Sequence, residues 1–148
     1  MLKTLALALT TALSAPAPAQ DLPAADPATL TEAGNRFLRG EGVPQDDARA
    51  AELYQLAAAR GDAQAMHNLG LMYAEGRGVP QDEFIAVEYY RAAMAQGYVP
   101  AITSLGIAYA EGRGVSIEPA TARTLLAKAA AAGDQRAKDY LARAGLRP

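Results

Sequence analysis

Residues recur in register every 36 positions, and this period constrains the fold more than any local feature of the chain. Gly42-Val43, Gly78-Val79 and Gly114-Val115 are spaced by 36 and 36, as are Gly40, Gly76 and Gly112. The same phase relates Gly34, Gly70 and Gly106; Phe37, Tyr73 and Tyr109; Ala50, Ala86 and Ala122; Ala57, Ala93 and Ala129; and Gly61, Gly97 and Gly133. A fixed period of this length marks a repeat architecture, in which each unit is one supersecondary element that buries its apolar face only against its neighbours.

Each unit reads as two helices joined by a glycine-rich turn. In the second unit Asp62 is placed to cap a helix from Ala63 to Glu75, where Met66, Leu69, Gly70 and Tyr73 recur at the three- and four-residue intervals of one buried face. Gly76-Arg77-Gly78 supplies positive-φ positions for a reversal, and Asp82 caps a second helix from Glu83 to Gln96, closed by Gly97. Its apolar positions Ala86, Val87, Tyr90, Ala93 and Met94 share a face. The first unit opens with Asp26 as cap and Pro27 in the first helical position, and Asp134 caps one more helix after the third unit, through Ala144. Seven helices are expected. Gly34, Gly70 and Gly106 fall inside helices at a cost of about 1 kcal/mol each relative to Ala, so a partner helix is expected to approach closely there.

The first nineteen residues obey a different logic. Lys3 is followed by an apolar stretch from Leu5 to Leu13, too short to span a bilayer core of roughly 30 Å, and then by small residues ending in Ala17-Pro18-Ala19. This is the pattern of a cleavable export signal with the cut after Ala19. A buried or amphipathic first helix is the alternative, but the stretch has no polar face. The expected organisation is 1–19 signal peptide, 20–27 leader, 28–61, 62–97 and 98–133 repeats, and 134–148 capping helix and tail. In that last helix Ala137 and Leu141 match the core phase of Ala101 and Leu105, while Arg136, Lys138, Asp139 and Arg143 are left to face water.

The run Leu69-Gly70-Leu71-Met72-Tyr73-Ala74-Glu75-Gly76-Arg77-Gly78-Val79-Pro80-Gln81-Asp82, followed by Ala86, Tyr89-Tyr90-Arg91-Ala92-Ala93 and Gln96-Gly97, closely resembles the Sel1-like repeat, a relative of the tetratricopeptide repeat. The resemblance extends over residues 28–144. It implies an all-α fold, an α/α solenoid of three repeats plus a C-terminal capping helix, with the first helix of each pair lining a concave surface. It also implies protein interaction and, in bacteria, envelope signalling, host contact and complex assembly. The third unit carries Ser116-Ile117-Glu118 where the others have Pro-Gln-Asp, which weakens a helix cap. A disulfide-rich branch of the family, some members of which bind or hydrolyse β-lactams, has a cysteine pair in each repeat. This chain has no cysteine, so that activity is not carried over.

Chemistry finds little to work with. A net charge of -2, or 13 basic against 16 acidic residues once Lys3 leaves with the leader, and the lack of any basic run argue against nucleic acid. Without cysteine there is no thiolate ligand or thiol nucleophile. His67 is the one histidine and has no second ligand at metal spacing, so no cofactor or metal is expected. Ser104 lies one repeat plus one residue from His67, but neighbouring helices sit roughly 8–10 Å apart and no orienting acid is evident. Glu75 and Glu111 end helices beside Arg77 and Arg113, which predicts solvated local pairs. The Gly-x-Gly turns lack the lysine and hydroxyl of a phosphate loop.

What remains is the concave face. Three columns run across the first helices: Thr31, His67 and Thr103; Asn35, Leu71 and Ile107; Arg39, Glu75 and Glu111. Leu71 and Ile107 either pack between neighbouring first helices or offer an extended or helical peptide an apolar step. An exposed His67 on that groove would make binding pH-dependent near its ordinary pKa of about 6.5. The expected function is a non-catalytic exported scaffold that binds a protein or peptide through these columns, as a monomer or weak homo-oligomer without a membrane span. The alternatives are a periplasmic regulator docking on a membrane sensor kinase, or an enzyme directed at cell wall or β-lactams.

Overall fold

A computed structural model describes residues 25–145. The expected signal peptide, and with it the first part of the leader, lies outside the described residues. Seven helices follow in chain order: α1 Pro27–Arg39, α2 Asp47–Ala59, α3 Ala63–Glu75, α4 Glu83–Ala95, α5 Val99–Glu111, α6 Pro119–Ala131 and α7 Gln135–Arg143. No strand occurs among the described residues. Each helix packs on its neighbours in sequence, so α1–α2, α3–α4 and α5–α6 form pairs that stack one on the next, with α7 closing the end. This is an all-α repeat fold.

Local chemistry sets the ends. Asp26, Asp46, Asp62, Asp82 and Asp134 each accept a hydrogen bond from the backbone N–H three residues on, satisfying a donor that the first helical turn leaves open. Repeat three lacks this. Tyr98 and Glu118 stand at the caps of α5 and α6 and make no side-chain cap bond. Gly40, Gly76 and Gly112 terminate α1, α3 and α5 in the left-handed conformation, at φ 69°, 67° and 73°.

The helical glycines mark where the two helices of a pair approach. A Cβ on Gly34 would sit 2.6 Å from the ring of Tyr54, and one on Gly106 would sit 2.8 Å from Leu126. Gly70 meets the Tyr90 ring still more closely. Large side chains of α2, α4 and α6 thus fill the space that a missing Cβ opens, and Tyr54, Leu126 and Tyr90 belong to the buried core.

A second contact stacks the repeats. The Gly-Arg-Gly turn of repeat two lies on the start of α2, where Gly78 faces the Asp47 carbonyl with no room for a side chain. Gly114 repeats this against Glu83. Arg77 then donates twice to the Asp47 carboxylate, both at 3.1 Å, and Arg113 donates to Glu83 at 2.9 Å. The Arg77 guanidinium holds the Asp47 carboxyl below its usual range. The expected local pair holds for Glu75, an exposed ion pair with Arg77 at 3.9 Å, and fails for Glu111, which accepts from the Tyr140 hydroxyl at 3.2 Å while Arg113 pairs with Glu83. The arginines reach back to the preceding repeat because the turn itself rests there. In repeat one the same position is Glu41.

Helix α7 finishes the stack. Ala137 and Leu141 are buried against Ile102, Leu126 and Ala129, while Arg136, Lys138, Asp139 and Arg143 are exposed.

Candidate functional site

The first helices and α7 form a row in which neighbours touch side by side, and the three residue columns read from the sequence fall on it at different depths. Thr31, His67 and Thr103 are buried, which corrects the expectation that this column faces the groove. His67 lies in the seam between α3 and α5. Thr31 turns its hydroxyl back to the Pro27 carbonyl at 3.0 Å. The middle column is also covered: Asn35 is buried, and Leu71 and Ile107 are half-buried, packed against the second and third core clusters. Only Arg39, Glu75 and Glu111 are exposed.

His67 is the clearest departure from expectation. It is 6% exposed, ringed by Tyr90 and Tyr98 at centroid distances of 5.7 and 5.5 Å, and its Nε2 lies 3.0 Å from Ser104 Oγ. The two side chains meet across the seam between α3 and α5, where the sequence expectation kept them apart. Arg136 of α7 donates to the same Ser104 oxygen at 3.4 Å, so the serine hydroxyl is free to donate to a neutral His67 Nε2. Burial, and then the positive Arg136, push the His67 pKa down to about 4. The imidazole is therefore neutral over the range in which an exposed histidine titrates, and the expected pH response of binding near 6.5 does not apply. No carboxylate orients His67 among the described residues, so the contact is a polar bridge between α3 and α5.

Between α3 and α5 the row opens into a cleft of about 110 Å³. Leu71, Val87 and Ile107 give it apolar walls, and Tyr90, Ser104 and Arg136 bring polar groups to it. Burial raises the Tyr90 phenol to about 12, so it stays a donor. Sequence reasoning placed Leu71 and Ile107 here but not Tyr90 or Arg136. Tyr90 belongs to the core pattern of α4, and Arg136 lies on a helix read as a water-facing cap. On the opposite side of the molecule, α4 exposes Phe84 and Ile85, the former by 74%, beside Glu88, Tyr89 and Ala92. Among the described residues no group of three or more His, Cys, Asp or Glu is placed to hold a metal, and no helix is long and apolar enough to cross a membrane.

The model of the Sel1 repeat matches residues 29–62, 63–98 and 99–134, three consecutive units that together cover most of the chain. The chain belongs to the Sel1 repeat family. Proteins of this family are in general protein-interaction scaffolds. A Sel1 repeat protein from Oxalobacter formigenes is 36% identical, with a TM-score of 0.70 over 80% of this chain and 89% of that one. A protective antigen present in uropathogenic Escherichia coli strains, which displays the same repeat fold, is 40% identical with a TM-score of 0.75 over 81% of this chain. The match spans only 26% of that longer antigen. Cysteine-rich protein B of Helicobacter pylori shares the fold at 22% identity and a TM-score of 0.64, over 78% of this chain and 89% of that one. No curated protein matches the chain.

Proposed function

We propose that this Sel1 repeat chain is an exported, non-catalytic scaffold that binds a protein or peptide through the row formed by its first helices. The observation that carries the reading is the cleft between α3 and α5, where apolar walls and convergent polar groups open beside the exposed Glu75 and Glu111. A surface continuous across repeats suits an extended ligand, since each repeat offers one step of the same geometry. Export is supported by Lys3, the apolar stretch from Leu5 to Leu13 and Ala17-Pro18-Ala19. Sequencing the N-terminus of the protein isolated from its source cells is expected to begin at Gln20; a chain that retains Met1 would remove export from the proposal.

The partner is sought by capture from an envelope extract of the source cells. Substituting Asp for both Leu71 and Ile107 puts negative charge on the apolar walls of the cleft, with circular dichroism checking that the chain folds, and the matched control substitutes Asp for Phe84 and Ile85 on α4, both exposed. Loss of one captured protein with the first pair and its retention with the second is the expected result. Retention with both places binding elsewhere.

A further inference from the structure

The two clefts between neighbouring first helices are built at the same repeat positions and closed differently. Between α1 and α3 these positions hold Asn35, Tyr54 and Asn68. The Tyr54 hydroxyl donates to Asn35 Oδ1 at 2.7 Å and Asn68 Nδ2 reaches the same oxygen at 3.4 Å, so the seam is sealed by its own side chains. One repeat later the positions hold Leu71, Tyr90 and Ser104. Leu71 has no acceptor to offer, and Ser104 is shorter than asparagine and already joined to His67. The Tyr90 hydroxyl consequently has no protein partner, although the residue is only 5% exposed and lines the cleft.

The Tyr90 hydroxyl opens onto the cleft with its donor uncommitted, and an acceptor entering the cleft would give it a protein-side partner. The charges at the rim define the acceptor. Arg113 is held by Glu83 at 2.9 Å, and Glu75 lies near Arg77. Arg136 has one polar contact, Ser104 Oγ at 3.4 Å, and no described carboxylate within ion-pair distance. A guanidinium without an ion-pair partner and an unpaired phenol donor thus line one cleft, together with Leu71, Val87 and Ile107. A guanidinium and a neutral O–H in one small cleft suit a carboxylate, whose two oxygens accept charge-assisted bonds. The volume of about 110 Å³ is below the roughly 300–1,000 Å³ of sites for free drug-sized ligands. It fits a single side chain.

We infer that the cleft between repeats two and three is a subsite for the carboxylate of an aspartate or glutamate on a bound peptide, received by the Tyr90 hydroxyl and Arg136, with a neighbouring aliphatic side chain against Leu71, Val87 and Ile107. This rests on the first-helix row as the binding surface and gives that surface a chemical preference. Repeat one, with its seam sealed by Asn35, has no equivalent site.

The test is a titration of the full chain, carrying 13C-labelled tyrosine and isoleucine, with sodium isobutyrate. Isobutyramide, the neutral analogue of the same shape, and sodium chloride at matched ionic strength are the controls. Isobutyrate is expected to shift the Tyr90 ring and Ile107 methyl signals saturably, and isobutyramide to do so at least several-fold more weakly. Arg136→Gln is expected to weaken the isobutyrate affinity about tenfold, and Tyr90→Phe, followed at Ile107, to weaken it several-fold; thermal melting checks that both variants fold. Equal response to acid and amide, no saturable shift, or unchanged titrations in both variants would overturn the subsite. Because isobutyrate needs no partner protein, a failed titration with partner capture intact removes the subsite alone. A successful titration with no protein captured through the first-helix row removes the peptide as its occupant.

Discussion

Gly70 shows how one absent methyl group sets the spacing of a repeat. Alanine there would gain about 1 kcal/mol of helix propensity, but its Cβ would run into the Tyr90 ring and lie 3.1 Å from the Ala86 carbonyl. The ring cannot withdraw, because it is packed in the core, so the overpacking cost prevails. Gly70→Ala is expected to lower stability by about 2 kcal/mol in urea unfolding, whereas propensity alone predicts an increase. His67 carries the opposite lesson. Its folded pKa of about 4 lies below the unfolded value of 6.5, so the unfolded chain takes up the proton first as pH falls. The resulting loss of stability begins below about pH 6.5, is complete near pH 4, and amounts to something of the order of 3 kcal/mol. Arg136 opposes the charged form, Asp134 favours it, and Tyr90 and Tyr98 supply the neutral wall. His67→Gln, which keeps a polar group toward Ser104, should flatten the stability profile over this window. A wild type and variant with parallel profiles would show that His67 is not buried as described. The close approach at Gly70 was legible in the sequence because a helical glycine recurs in register. The burial of His67 was not, since a lone polar residue in one column carries no sign of which way its helix is turned.

At the scale of the helix, ends were more legible than faces. Asp26, Asp62, Asp82 and Asp134 act through the backbone three residues away, an interaction contained in the local sequence, and each caps the helix its position predicts. The same rule exposes the weak point of repeat three. Glu118 stands where the other units have aspartate, and its longer side chain turns to the Thr121 hydroxyl at 2.8 Å without capping the backbone of α6. Glu118→Asp is expected to raise stability by about 1 kcal/mol, read as a higher denaturant midpoint with an unchanged slope. An unchanged or lower midpoint would show that α6 is set by its packing rather than its start. Faces were harder to read because they depend on neighbours outside the helix. Leu71 and Ile107 were recognised as special, yet their partial burial comes from core clusters assembled by α4, α5, α6 and α7 together. The arginines were half legible for a similar reason: Arg77 keeps its local pair with Glu75, but its bonds to Asp47, and the bond of Arg113 to Glu83, reach the preceding repeat in space.

At the scale of the molecule, the three repeats are alike in backbone and unlike in the seams between them. Period, turn glycines and capping helix specify the stack, which is why a repeat fold was legible in the 36-residue spacing and the family in the motif that fills it. The seams vary because their side chains are free to do so once the stack is secure: Asn35, Tyr54 and Asn68 close the first, while Leu71, Tyr90 and Ser104 leave the second open. The exposed Phe84 and Ile85 on α4 make the opposite face the competing surface. Site-specific photo-crosslinking separates the two directly. A crosslinking side chain placed at Glu75, at the open cleft, or at Glu88, beside Phe84 and Ile85, leaves the core intact because both positions are exposed. Binding through the first-helix row predicts one discrete crosslinked product in source-cell extract from position 75 and none from position 88; a product from position 88 alone would contradict it and assign binding to the outer face of α4.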